Sequence, residues 1–201
     1  LVISVPVGVA AARRPGGGLD LLAGAISFFG VSIPAFWFGL MLIMFLSVQL
    51  GLLPSAGMYK VGAPFSLADR LQRLIMPAVV LALPTAAELT RYARSGMLEV
   101  LRQDYMKTAR AKGLSERVVL YRHALKNGLL TVVTVLGLSL PRLVGGAAIT
   151  EHIFAWPGMG RLAVASALGR DYPVVMGVTI AVATMVILSN LLTDLAYPLV
   201  D

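Results

Sequence analysis

Few residues in this chain could do bond-making chemistry. There is no cysteine, so disulfides and thiolate metal sites are excluded. His123 and His152 are its two histidines, and the charge distribution described below puts them on opposite sides of a bilayer, where they cannot share a metal. Glu151 beside His152 reads as a hydrated loop pair rather than a ligand pair. No Gly-x-x-x-x-Gly-Lys-Ser/Thr phosphate loop is present, so the chain does not hydrolyse ATP itself. No serine has a base near it in sequence, and no cofactor motif appears. What remains is charge in unusual places. Arg142 lies inside an apolar run. The stretch from Arg91 to Asn127 holds nine of the seventeen Lys and Arg residues, against Glu99, Asp104 and Glu116. Composition alone would allow such a stretch to meet anionic lipid, nucleic acid or another protein.

The elements that must position these residues are membrane spans. Hydrophobic residues make up 58% of the 201, charged residues only 13%, and the mean hydropathy is +0.83. A soluble domain carries roughly 25% charged residues. Apolar runs of about 18 residues or more place the chain in a bilayer. The fold class is therefore all-α, a polytopic membrane helical bundle with four full spans plus the tail of a fifth. Residues 1–12 read as the end of a span that begins upstream, stopped by Arg13 and Arg14 and followed by the Pro15-Gly16-Gly17-Gly18 turn. Residues 21–50 carry no charge, and thirty helical residues would measure about 45 Å. That exceeds the roughly 30 Å hydrocarbon core, so tilt or a kink at Pro34 should absorb the excess. Residues 51–73 form a turn-rich loop, and 74–92 the next span, with Pro77 and Pro84 inside it. Glu88, near its inner end, should pair with Arg91 or Arg94, or snorkel. A span over 128–149, an aromatic loop over 150–172 and a last span over 173–197 complete the chain.

Orientation follows from the cations. Arg13, Arg14 and the nine in the basic stretch fall on one side; Lys60, Arg70, Arg73, Arg161 and Arg170 fall on the other. Eleven against five puts the basic stretch in the cytoplasm. The net charge of +7 then serves topology, and a nucleic-acid partner is not expected. Arg142 sits about 21 Å from the inner end of its span. An arginine at that depth either faces a translocation path, where it could meet an anionic part of a cargo, or extends towards the outer headgroups.

Within the basic stretch, Leu98, Leu101, Tyr105 and Ala109 recur at steps of three and four, the stripe of an amphipathic helix. Arg102, Lys107 and Arg110 lie off it. Gly113 after Lys112 predicts a helix end with a left-handed glycine. Ser115 can cap a second short helix from Glu116, carrying Val118, Val119 and Leu125. The prediction is two short helices meeting at a glycine bend. Small residues at that bend, Ala109, Ala111 and Gly113, would let another protein approach the backbone closely.

The segment Asp104-Tyr-Met-Lys-Thr-Ala-Arg-Ala-Lys-Gly-Leu114 resembles the cytoplasmic EAA loop of bacterial ABC importer permeases, most closely those of the dipeptide and oligopeptide type. Lys107, Thr108 and Ala109 occupy the Glu-Ala-Ala triplet, and Gly113 stands at the glycine three residues beyond. Of the Ile-x-Leu-Pro that closes the general pattern, only Leu125 is kept. Arg122-His-Ala-Leu-Lys-Asn127, Ile153-Phe-Ala-Trp-Pro-Gly-Met-Gly160 and Arg170-Asp-Tyr-Pro-Val174 carry the same resemblance in the same order. The resemblance implies the type I ABC importer permease fold, in a multi-pass protein of the bacterial inner membrane. It also implies a second homologous permease subunit, two cytoplasmic ATP-binding subunits and an extracytoplasmic solute-binding protein as partners. The ATPase-coupling residues it implies are Asp104, Lys107, Thr108, Ala109, Arg110, Ala111, Gly113 and Leu114 in the 91–127 region. Peptides are the implied cargo, with nickel complexes and glutathione-like compounds carried by similar permeases. The rival from another class is an ion-coupled secondary transporter, which calls for ionisable residues near the midplane and inverted repeats. Only Arg142 lies well inside a span, and no repeat is visible.

Overall fold

The computed structural model describes the backbone of residues 1–144 and 147–200; the side chains of 117, 121–123, 126, 129–131, 138, 140–144 and 196–200 lie outside that description. Among the described residues the regular structure is helical throughout, with no strand. Helices α1 (Ser4–Arg13), α2 (Gly18–Ser32) and α3 (Ala35–Leu42) are followed by a π-helical segment, Ile43–Gln49. Then come α4 (Leu67–Leu101), α5 (Asp104–Ala111) and α6 (Glu116–Val118). A second π-helical segment, Val119–Ala124, leads into α7 (Leu125–Val144). The chain ends with α8 (Ala148–Ile153), α9 (Met159–Leu168) and α10 (Tyr172–Val200).

Among the described residues two helices, α4 and the 24 residues of Tyr172–Leu195, are each long and apolar enough to cross a bilayer alone. The run expected as one helix over 21–50 is broken instead. Helix α2 stops at Ser32, and α3 restarts at Ala35 after Pro34, whose backbone is extended (φ −61°, ψ 129°). Proline lacks the N–H that would continue the helix and disfavours helical backbone at Ile33 before it. Helix α4 shows the opposite outcome. At 35 residues it measures about 52 Å and runs through both Pro77 and Pro84. It begins inside the stretch expected as a loop and ends inside the basic stretch.

The chain forms two compact units. The first comprises Leu1–Val31, Pro84–Leu140 and Ser189–Asp201; the second comprises Ser32–Leu83 and Pro141–Leu188. In the first unit, α1 lies so close on α4 that a Cβ at Gly8 would meet the Thr90 carbonyl oxygen at 2.6 Å and the Ala93 Cβ at 2.7 Å. Leu89, Ala93 and Val132 are buried together beside that crossing. In the second unit, Met76, Val80 and Phe154 form a core with Phe38, Leu42, Leu46 and Ile153 packed against it.

Loop 51–66 of the second unit is strapped to the start of α4. The Arg73 guanidinium donates from Nε to both Asp69 oxygens at 3.0 Å and from Nη1 to the Ala56 carbonyl at 2.7 Å. Asp69 also accepts the Lys60 N–H at 3.0 Å, and the Arg73 hydrogen bond leads in holding its carboxyl below the usual carboxylate range. Arg70 lies 4.6 Å from the centre of the Phe65 ring. In the same unit Glu151 bonds to the start of α9. Its Oε2 accepts the Arg161 N–H at 2.6 Å, satisfying one of the free donors in the first turn of α9.

Candidate functional site

The basic stretch folds into a braced elbow. Helix α4 ends at Leu101 and the backbone turns extended at Gln103 (φ −67°, ψ 151°) before α5 begins at Asp104. The stripe predicted from Leu98 to Ala109 is thus divided between two helices, and its register is lost at the break. Met106 and Ala109 are the inward residues of α5, at 0% and 7% exposure, whereas Tyr105 faces outward at 42%. Met106 and Ala109 pack with Val9 and Ala12 of α1, Met97 of α4, and Val119, Leu120 and Ala124 of the second π-helical segment. Val119 and Ala124, near the two ends of that segment, share the buried face.

The turn after α5 has the predicted glycine geometry. Gly113 sits at φ +77°, a conformation L-residues rarely adopt. Its N–H donates to the Arg110 carbonyl at 2.9 Å, and the Leu114 N–H donates to Ala109 at 3.4 Å. This is the pair of bonds that closes a helix in a Schellman turn. A Cβ at Gly113 would meet nothing within 4 Å, so the bend is open on its outer side. Ser115 stands at the start of α6 with extended backbone (φ −62°, ψ 145°), yet its side chain makes no capping bond. Nor is the following helix short, because α6, the π-helical segment and α7 run on without interruption over 116–144.

Of the eight predicted coupling residues, Asp104, Lys107, Thr108, Arg110, Ala111, Gly113 and Leu114 are exposed on the elbow. Ala109 differs from these seven: it is buried, and its small side chain lets α5 settle on the chain's own core. Lys107 pairs with Asp104 at 2.8 Å, and Arg110 reaches across the bend to Glu116 at 2.7 Å. Asn127 donates to the Tyr105 hydroxyl at 2.9 Å, tying α5 to α7. Two stretches singled out separately in the sequence, 104–114 and 122–127, are therefore one structure.

An ion pair that sequence reasoning missed stiffens the same unit. Arg94 donates from Nε and Nη2 to the two oxygens of Asp20, the latter at 2.8 Å, and Gly16 N–H donates to Asp20 at 2.8 Å. The hydrogen bond from Arg94 is the largest influence lowering the Asp20 pKa from 3.8 to about 2, and the Gly16 N–H adds to it. Arg94 thus reaches Asp20 and not Glu88. The available signal was an acid in the first turn of α2, just after a glycine-rich turn and opposite a cationic stretch. Arg142 lies in α7, and its side chain is outside the described residues.

Residues 4–201 match the family described as the binding-protein-dependent transport system inner membrane component. The chain belongs to that family. Among its relatives, the oligopeptide transport system permease protein AppB of Bacillus subtilis is 50% identical over 201 residues, covering all of this chain and 64% of the relative. The dipeptide transport system permease protein DppB of Escherichia coli K12 is 42% identical, over 99% of this chain and 65% of the relative. The di/tripeptide transport system permease protein DppB of Pseudomonas aeruginosa is 43% identical, over 96% of this chain and 63% of the relative. The chain thus spans just under two thirds of the length of these relatives. Membership makes it an inner membrane component of a binding-protein-dependent transport system, and its composition and long apolar helices fit a membrane-spanning chain.

Proposed function

We propose that this chain is the membrane-spanning part of a permease subunit in an ATP-driven importer of di- and oligopeptides. A second homologous permease subunit would complete the path, and two cytoplasmic ATP-binding subunits would dock on the elbow of α5 and Gly113. A solute-binding protein on the far side would deliver cargo. The cargo assignment rests on the relatives, whose names specify oligopeptide, dipeptide or di/tripeptide transport.

The observation that carries the coupling role is the form of the elbow. One face of α5 is locked into a core shared with α1, the end of α4 and the π-helical segment. The opposite face and the Gly113 bend are open. A partner pushing on the open face would move three further elements together, which a mobile loop could not do.

The test is a graded substitution at Gly113. A residue in left-handed backbone costs about 1–2 kcal/mol, and Asn tolerates that backbone better than other residues. Gly113→Asn should therefore keep part of the transport activity. Gly113→Trp should abolish ATP-driven uptake while the permease still inserts and assembles in the membrane. If the Trp variant transports like the parent, docking at this bend is wrong.

A further inference from the structure

The inner half of α4 leaves one face only partly covered, and that face is polar. Around the helix from Pro84 to Leu101, Ala87, Leu89, Thr90, Ala93 and Met97 are buried and Arg94 is bound to Asp20. On the remaining side, Thr85, Glu88, Tyr92, Ser95 and Glu99 recur at alternating steps of three and four, one continuous stripe along the helix, and Arg102 follows just past its end. Thr85, Glu88 and Tyr92 are half-buried and Ser95 is exposed. Below them the stripe opens into a cleft of about 510 Å³ lined by Ser95, Glu99, Arg102 and Asp104 at the elbow.

Lipid is a poor neighbour for Glu88 on this face. On α10, the hydroxyls of Thr179, Thr184 and Thr193 donate to carbonyls one turn back on their own helix, at 2.8–2.9 Å. Such residues can face hydrocarbon because their polar atoms are satisfied locally. Glu88 cannot be satisfied in that way, since a carboxylate needs a cation, donors or water. The two cations nearest in sequence are otherwise placed. Arg94 holds Asp20, and the Arg91 guanidinium lies over the Tyr92 ring at 5.5 Å. Among the described residues no ion pair reaches Glu88.

We propose that Thr85, Glu88 and Tyr92 line the water-filled translocation path, and that the Glu88 carboxylate receives the ammonium group of the passing cargo. Opposite charge commits the occupant. A free α-amino group is the cationic feature common to unmodified peptides, and it is compact enough to pass a single carboxylate without bidentate capture. This inference rests on the peptide-import reading above, and it adds the residues that read the cargo's amino end.

The chain contains no cysteine, so single cysteines can be placed without background. In the assembled transporter carrying the full-length permease, Thr85→Cys, Glu88→Cys and Tyr92→Cys should react with a water-soluble cationic methanethiosulfonate. Reaction at these three sites should be at least about tenfold faster than at Ile187→Cys on the exposed apolar face of α10, a contrast worth about 1.4 kcal/mol. Glu88→Gln should lower uptake of a free-amino dipeptide by about tenfold or more. It should leave uptake of the N-acetylated dipeptide unchanged. Reaction at the three sites as slow as at Ile187 would overturn the path-lining role. An equal loss for both peptides would overturn ammonium recognition. A parent transporter that imports neither peptide would sink the cargo reading instead, and the labelling contrast would then decide alone whether the stripe faces water.

Discussion

Replacing one glycine by alanine should change stability with a different sign at three helical positions, depending on what the added methyl meets. In a helix interior the exchange itself gains about 1 kcal/mol, because alanine loses less backbone freedom on folding. At Gly177 on α10 a Cβ meets nothing within 4 Å, so the gain should appear in full. At Gly128 on α7 the new carbon lies 2.7 Å from the Met97 Sδ and 3.3 Å from its Cα. The thioether can swing away at modest cost, and the two effects should nearly cancel. At Gly8 the neighbours are the Thr90 carbonyl oxygen at 2.6 Å and the Ala93 Cβ at 2.7 Å. Neither has a rotamer to change. Helix α1 would have to move away from α4 by roughly 0.8 Å to restore ordinary contact, and overpacking of this kind costs about 1–3 kcal/mol. Net of the helix gain, Gly8→Ala should lose up to about 2 kcal/mol. At about 2–4 °C per kcal/mol for a chain of this size, that is a fall of several degrees in Tm, against a rise of a few degrees for Gly177→Ala. Thermal unfolding of the three purified variants in one detergent measures the order. A Gly8→Ala protein as stable as Gly177→Ala would refute the close α1–α4 crossing, and with it the brace behind the elbow.

Two other outcomes follow from local geometry. Asp20 has its pKa lowered from 3.8 to about 2, chiefly by Arg94, so its ion pair stabilises the fold fully above pH 3.8 and is lost as the pH falls towards 2. The Tm difference between the parent and Asp20→Asn should accordingly stay constant from about pH 8 to pH 5 and vanish near pH 2; a difference that already closes at pH 6 would point to another group. Arg170 closes α9 in left-handed backbone at φ 57°, while the adjacent Gly169 has φ −77°. Arg170→Gly should raise stability by about 1 kcal/mol, visible as a higher Tm, and an unchanged or lower value would count against that backbone assignment.

What the sequence made legible was whatever a short window decides. Gly113 after a helical run predicts a left-handed turn because only glycine takes that backbone freely, and the turn is there. Apolar length predicted a helical membrane chain, and nine of its seventeen cations gather in the stretch from Arg91 to Asn127. The face of α5 was not legible, because the stripe through Leu98, Leu101, Tyr105 and Ala109 assumes one helix. The two-residue break at Arg102 and Gln103 turns the register, so Met106 points inward and Tyr105 outward. Prolines misled in both directions. Pro34 ends a helix, whereas α4 carries Pro77 and Pro84 in its interior, where neighbouring helices and local backbone adjustment can re-satisfy the freed carbonyls. The Asp20–Arg94 pair joins residues 74 apart in the chain, and no local pattern encodes such a meeting.

We propose that ATP-binding subunits dock on the open face of the α5–Gly113 elbow. Because the chain lacks cysteine, the most direct measurement is crosslinking from single cysteines in the assembled, full-length transporter. Lys107→Cys and Ala111→Cys, both on the open face, should crosslink to an ATP-binding subunit carrying an engineered cysteine, with a yield that changes when nucleotide binds. Ala109→Cys, one residue type buried in the elbow core, should not. Absence of crosslinks from Lys107 and Ala111 in a complex that remains intact, or equal yield from Ala109, would contradict the account.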